Sequence, residues 1–98
     1  MVDYQVHPAK QTPQAEKSTT ESWATESIPA ETVYLVLYPT GNMHIVCNTS
    51  SSPNGLQDGT LYAFEQTHII ECRGATHLHV TNESGVGSGT LYWTARHN

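Results

Sequence analysis

The stretch from residue 74 to residue 96, GATHLHVTNESGVGSGTLYWTAR, decides the fold of this chain. Residues 75–81 alternate, with Leu78 and Val80 separated by polar or small neighbours, which predicts a strand. Residues 90–95 are rich in β-branched and aromatic side chains and predict a second strand. The glycine-dense residues 82–89 between them indicate a turn that no helix would tolerate. This stretch therefore predicts a β-hairpin.

The chain upstream of this stretch continues the β pattern. Residues 32–38 would carry apolar side chains on both faces of a strand, which predicts a central strand covered on both sides. Residues 43–48 predict another strand, and residues 60–64 and 68–72 predict either two strands or one long strand bent between them. Short strands separated by glycine-bearing turns indicate an all-β fold, a small β-sandwich or a jelly-roll-like barrel.

The composition changes near residue 31. Residues 1–31 are rich in Gln, Thr, Ser, Glu and Pro and hold few apolar side chains, so they cannot bury enough surface to fold alone. We predict that residues 1–31 form an extended polar N-terminal arm that a partner orders, and that residues 32–98 form the β body. A body of this size has a small core, which favours a homo-oligomer.

Two apolar features of the predicted arm are candidate partner-binding sites. Val2, Tyr4 and Val6 alternate with polar residues, as in a short strand that adds to the edge of another sheet. Trp23 stands alone among polar neighbours. It is either an aromatic anchor for a pocket of a partner or a local cap over its own sheet.

Charge and length exclude several classes of function. The chain has 98 residues, enough for one small domain, with 4 Lys and Arg against 9 Asp and Glu and a net charge of -5. Nothing in this balance favours nucleic acid or an anionic membrane surface as a partner. The N-terminus lacks the basic and apolar regions of a signal peptide, so we expect synthesis in the cytoplasm.

The two cysteines, Cys47 and Cys72, lie in separate predicted strands. Because free cysteine packs as a small apolar side chain, buried free thiols are the favoured interpretation. A disulfide between neighbouring strands is the alternative. The 25-residue separation without a CxxC pair is not typical of a zinc site.

Three residues are candidate metal ligands. His77 and His79 project to the same face of one predicted strand, and Glu83 follows four residues later. The spacing Gly74-x-x-His77-x-His79-x-x-x-Glu83 resembles part of the first cupin motif. A cupin needs a second histidine-bearing strand downstream, and only 15 residues follow Glu83. The favoured interpretation is that both histidines lie on the solvent or interface face, opposite Leu78 and Val80, with no metal.

No constellation of residues indicates catalysis. Ser50, Ser51 and Ser52 lie in a polar loop without a nucleophile-elbow pattern, and the carboxylates show no acid–base pairing. Gly85, Gly87 and Gly89 have no following helix to complete a phosphate-binding loop. We therefore predict a protein that is not an enzyme and that has no cofactor and no small-molecule substrate.

In its organisation, the chain resembles the cement (decoration) proteins of tailed-bacteriophage capsids. The resemblance lies in a polar arm, a small β body, an acidic balance and a terminal aromatic strand, Gly89-Thr90-Leu91-Tyr92-Trp93. It implies a structural virion protein on the capsid surface that forms homo-oligomers, trimers in particular. It also implies that arms reach neighbouring major capsid subunits and stabilise the shell.

Two other classes of function remain open at this point. A phage tail, portal-adaptor or fibre component would share the same β body and arm. A small cupin-like metal-binding protein or enzyme would use His77 and His79.

Overall fold

The computed structural model describes residues 14–53 and 60–97. These residues form eight strands and no helix, so no helix in the described part of the chain could span a membrane. The strands are β1 (Ala15–Thr19), β2 (Ala24–Ser27), β3 (Tyr34–Pro39), β4 (Met43–Asn48), β5 (Leu61–Tyr62), β6 (His68–Glu71), β7 (His77–Asn82) and β8 (Gly89–Arg96).

The strands form two four-stranded sheets, and all the pairings are antiparallel. Sheet 1 has the order β1-β8-β3-β6, and sheet 2 has the order β2-β7-β4-β5. The two sheets pack against each other around one apolar core. The predicted all-β sandwich is therefore confirmed.

The core follows the alternation that the sequence shows. Leu35, Leu78 and Val80 face inward, and at most 1% of each is exposed. Leu37 and Met43 are also fully buried on neighbouring strands. Fully burying an aliphatic side chain of this kind contributes about 1.5–3 kcal/mol, so these positions dominate the stability of the sandwich.

β3 is central, as predicted, but only one of its faces is covered. Leu35 and Leu37 point into the core, while Tyr34 and Val36 are half-buried on the other face and Tyr38 is 40% exposed. The prediction that this strand is covered on both sides is therefore wrong for the described residues. A run of apolar residues makes both faces of a strand suitable for burial. Whether the second face is buried depends on another element that packs against it.

β7 and β8 do not form the predicted hairpin. β7 pairs with β2 and β4 in sheet 2, whereas β8 pairs with β1 and β3 in sheet 1. Residues 83–88 therefore cross from one sheet to the other. Gly85 and Gly87 allow this connection because their φ angles are 96° and 83°, values that other residues rarely adopt.

β5 and β6 are two strands and not one bent strand. β5 pairs with β4 at the edge of sheet 2, and β6 pairs with β3 at the edge of sheet 1. The turn between them is held by the backbone N–H of Glu65, which donates to the Pro39 carbonyl at 2.8 Å. The alternative with two strands is the correct one.

The described part of the predicted arm belongs to the sandwich. β1 and β2 form the edges of the two sheets, and Lys17 Nζ contacts Glu26 Oε1 at 3.0 Å between these edges. The predicted boundary at residue 31 is therefore wrong from residue 14 onward. An edge strand buries little of its surface, so its composition stays polar and resembles that of a linker.

Glu21 links this N-terminal region to residues 83–88, which connect the two sheets. Its Oε2 accepts hydrogen bonds from the backbone N–H groups of Gly85 at 3.1 Å and Gly87 at 2.7 Å. Nearby, the Asn82 backbone N–H donates to the Thr20 carbonyl at 2.7 Å. The positive-φ glycines thus serve two purposes, because they turn the chain and present two N–H groups to one carboxylate.

Candidate functional site

The outer face of sheet 2 carries the predicted metal candidates. The rings of His77 and His79 stack with centroids 6.4 Å apart and planes 20° apart, so both side chains project from the same face. His77 is half-buried, and its Nδ1 shares a 2.8 Å hydrogen bond with Thr76 Oγ1. His79 is fully buried. Both histidines therefore lie on the expected face, opposite Leu78 and Val80, but His79 is covered there and does not reach solvent.

His79 is buried because two flanking segments cover its ring. Its Nε2 lies 2.9 Å from Asn48 Oδ1 and 3.1 Å from the Ser50 carbonyl, and its Nδ1 lies 2.8 Å from Thr25 Oγ1. The Ser50 carbonyl can only accept, so Nε2 carries the proton. Nδ1 then accepts from the Thr25 hydroxyl. The ring thereby links β7 to β2 and to the segment after β4.

The electrostatics of this site favour a neutral imidazole. Burial lowers the pKa of His79, and the neighbouring His77 lowers it further, while the hydrogen bond to the Ser50 carbonyl opposes these effects. Both ring nitrogens are occupied by protein groups, so a metal ion would have to displace the Thr25 hydroxyl or the Nε2 proton. The arrangement suits a structural cross-link.

Glu83, the third metal candidate, is engaged in a separate hydrogen-bond network. Its Oε1 accepts from Asn42 Nδ2 at 3.0 Å, and Asn42 Oδ1 accepts from the Phe64 backbone N–H at 3.0 Å. Across the described residues, no three His, Cys, Asp or Glu side chains are grouped so that they could hold a metal ion. Glu83 therefore supports the turn between β3 and β4 through Asn42.

The predicted partner-binding residues divide into two sets. Val2, Tyr4 and Val6 lie outside the described residues, so their role stays a prediction. Trp23 is half-buried and lines a surface depression of about 250 Å³ together with His44 and Thr81 of sheet 2. This position beside its own sheet is the one expected of a local cap, and a contact of Trp23 with a partner stays a prediction.

Both cysteines are free thiols, as favoured; Cys72 is buried as expected, whereas Cys47 is half-buried. Cys72 is part of the core, and Cys47 packs against the core from the opposite sheet. Burial, together with the nearby Cys72, raises the pKa of Cys47 to about 12. Burial also raises the pKa of Cys72. Because the thiolate is the reactive form, both groups are inert packing residues at neutral pH.

The outer face of sheet 1 is the candidate docking surface. Alternation along β3, β6 and β8 places an apolar and aromatic row on this face, and Ile69 at its edge is 67% exposed. A groove of about 590 Å³ runs across it. The groove is lined by Val33, Tyr34, Val36, Ile69, Glu71, Arg73 and Arg96.

One polar group in this groove lacks a partner. Arg96 Nε is buried and has no acceptor within hydrogen-bond distance. Leaving such a donor unsatisfied costs about 1–3 kcal/mol, and more for a charged group. The groove therefore combines apolar surface with the charged side chains of Glu71, Arg73 and Arg96.

Sequence reasoning missed this surface because it assigned both faces of β3 to the interior. The Ile69-Ile70 pair held a usable signal. Adjacent residues on a strand point to opposite faces, so only one of the two can enter the core of a two-layer sandwich. Ile70 packs against the core, and Ile69 is left on the outer face.

A solved structure of a protein from Lactobacillus plantarum resembles this chain in fold. The TM-score is 0.50 and the sequence identity is 13%, over 87% of this chain. The chain spans 38% of the length of that structure. At this identity the likeness shows the fold alone. No protein-family model matches the chain, and no curated protein matches it.

Proposed function

We propose that this chain is a structural virion protein, a cement (decoration) protein that stabilises a tailed-phage shell by bridging neighbouring major capsid subunits. Its organisation resembles that of such proteins, and it works by binding and not by catalysis. It acts on the capsid surface, where its partner is a protein with a complementary apolar patch.

The observation that carries this proposal is the exposed apolar side of sheet 1. Tyr38 and Ile69 are 40% and 67% exposed, and the groove between β3 and β6 is lined mainly by apolar side chains. An exposed patch of this kind on a small protein marks an interaction surface. A shell subunit that covered it would bury Val36 and Ile69.

The N-terminal segment joins the body beside this surface. Gln14, the first described residue, lines a depression of about 220 Å³ with Val36, Tyr38 and Tyr92. Residues 1–13 therefore precede a point at the rim of the proposed docking face. In this arrangement Val2, Tyr4 and Val6 add as a strand to the same or a neighbouring shell subunit, so that face and segment together form the bridge.

The test uses undecorated shells of the parent virus and two matched variants. Val36→Glu places a charge on the outer face of sheet 1, and Val46→Glu places the same charge on the outer face of sheet 2. Both valines are half-buried on central strands, so the two substitutions impose similar demands on folding. Circular dichroism checks that both variants fold.

We expect the wild type and Val46→Glu to co-sediment with shells and to raise the temperature at which they release genome, because a ligand of the assembled state stabilises it. Val36→Glu should do neither. Deleting residues 1–13 should weaken decoration while leaving the described fold intact. Equal decoration by Val36→Glu would refute the docking face, and absence of wild-type binding to shells would refute the cement proposal. Binding to isolated tails instead would favour the tail or adaptor alternative.

A further inference from the structure

The two sides of the sandwich are closed differently. On one side, the edge strands β1 and β2 are tied by the Lys17–Glu26 ion pair. On the other side, β6 ends sheet 1, and no described strand lies beyond it. An open edge presents unpaired N–H and C=O groups, which form a template for a further strand.

The register shows which groups of β6 face outward. The Cys72 N–H donates to the Val33 carbonyl at 2.9 Å, in line with the pairing of Ile70 with Leu35. Because antiparallel strands alternate the direction of their hydrogen-bonding groups, Ile69 and Glu71 point theirs to the open side. Ile69 is also the most exposed large apolar side chain among the described residues, at 67%.

We propose that β6 pairs with β6 of a second copy of this chain, antiparallel, about a two-fold axis at Ile69. In such a pair the same surface serves both copies, so the edge must be complementary to itself. Ile69 then lies opposite Ile69 of the second copy, and their exposed side chains cover each other. Thr67 lies opposite Glu71, so the outward groups of both strands find partners.

The charges flanking β6 support this axis. Glu65 and Arg73 lie four residues before and four residues after Ile69, and both are exposed. Both lie in the turns that flank the four-residue strand, and Arg73 Nε lies 3.4 Å from Glu71 Oε2 of its own chain. A two-fold axis at Ile69 brings the turn that holds Glu65 in each copy towards the turn that holds Arg73 in the other. Opposite charges across paired strands stabilise the pairing, and like charges destabilise it.

The neighbouring registers are less favourable. Residues opposite each other must project to the same face. The two-fold axis must therefore pass at a residue of β6 and not between two residues. An axis at Ile70 would set Ile69 opposite Glu71. An axis at His68 would set Glu65 opposite Glu71, two carboxylates. Only the axis at Ile69 joins apolar to apolar and acid to base.

The pairing joins two copies of sheet 1 into one eight-stranded sheet. Their apolar outer faces would lie side by side, which would let one dimer contact two shell subunits at once. This consequence rests on the proposed function, whereas the pairing rests on β6 alone. A two-fold dimer also differs from the trimer that the resemblance to cement proteins implies.

The first experiment measures the mass of the purified full chain by sedimentation equilibrium over a wide range of concentrations, without any shell. We expect a species of twice the 10.8 kDa chain mass that dissociates on dilution, because strand pairing alone buries less area than a standard stable interface. Ile69→Lys should weaken dimerisation about tenfold or more, since an edge lysine blocks strand addition. Leu61→Lys is the control: Leu61 is 41% exposed on β5, the corresponding edge of sheet 2, and its variant should dimerise normally.

The second experiment exchanges charges. Glu65→Arg or Arg73→Glu alone should weaken the dimer, and the double variant should restore it, because the pairs form between copies. Circular dichroism verifies folding of each variant. A monomer at every concentration, a trimer, an unaffected Ile69→Lys dimer or no restoration by the double variant would each overturn the proposed pairing. None of these measurements involves a shell, so their failure is separate from failure of the cement proposal.

Discussion

His79→Ala is the most informative single substitution on sheet 2. His79 is fully buried and connects β7 to Thr25 of β2, to Asn48 at the end of β4 and to Ser50 beyond it. Alanine removes the ring and its hydrogen bonds to three polar groups, of which Asn48 Oδ1 keeps the Ser50 backbone N–H as a donor at 2.9 Å. The segment after β4 and the edge strand β2 each lose a side-chain hydrogen bond to the centre of the sheet, while the backbone pairing of β2 with β7 remains.

The expected cost follows from these contacts. Hydrogen bonds of this kind contribute about 0.5–1.5 kcal/mol each, and groups left buried without partners cost about 1–3 kcal/mol. The single proton on Nε2 serves two acceptors, and water can enter the vacated space from the outer face. Both facts make the cost smaller than the sum over all the contacts. We therefore expect His79→Ala to lower the free energy of unfolding by about 2–4 kcal/mol. For a domain of this size, that lowers Tm by roughly 10–30 °C.

The assay is urea unfolding followed by tryptophan fluorescence, with His77→Ala as the matched control. His77 lies on the same strand and face, but it is half-buried, and its Nδ1 shares a hydrogen bond with the neighbouring Thr76. Its alanine variant should cost less than about 1 kcal/mol. A loss below about 1 kcal/mol for His79→Ala, or equal losses for the two variants, would refute the structural role of the ring.

The pH dependence of stability tests the same site independently. Burial lowers the pKa of His79 in the folded state below the value of about 6.5 that an unfolded chain shows. The unfolded state therefore binds the proton more tightly, and stability falls as the pH drops below about 6.5. His79→Gln removes this titration and should flatten the slope in that range. An unchanged slope would show that His79 does not contribute.

Three further outcomes follow from the packing. Leu35→Ala, in the core, should cost about 2–5 kcal/mol in chemical unfolding, whereas Ile69→Ala on the exposed edge should cost under about 1 kcal/mol; similar losses would mean that the strand faces are misassigned. Cys47, whose pKa is raised to about 12, should react with iodoacetamide at pH 7 far more slowly in the folded than in the unfolded chain, and rapid labelling of the native protein would contradict its burial. A Cβ at Gly41 would lie 2.7 Å from Val86 Cγ1, so Gly41→Ala should destabilise by about 1–3 kcal/mol and Val86→Ala should restore part of the loss; no rescue in thermal melts would place the strain elsewhere.

Much of the secondary structure was predictable because it depends on local alternation. The strand predicted at residues 43–48 matches β4, and the inward positions Leu78 and Val80 follow directly from the period of two. A pleated strand sends successive side chains to opposite faces whatever lies next to it. The class of fold and the main core residues could therefore be derived without any knowledge of partners.

The candidate docking surface was only partly predictable. The sequence indicated that β3 has two apolar faces, but it could not show that no described element covers one of them. Trp23 was visible as an isolated aromatic residue, and its position beside His44 required the fold. Whether a face is covered depends on how many layers the chain builds, which is a property of the whole molecule.

The sequence by itself determined which residues alternate, where the chain turns and which side chains seek the core. Only the tertiary structure decided the neighbours of each strand: β7 and β8 joined different sheets, and the polar strand β1 became an edge of sheet 1. It also decided that His79, on an outer face, is buried by Thr25. The physical reason is that alternation is set by backbone geometry within a strand, whereas pairing depends on hydrogen bonds and packing between segments that are distant in the chain.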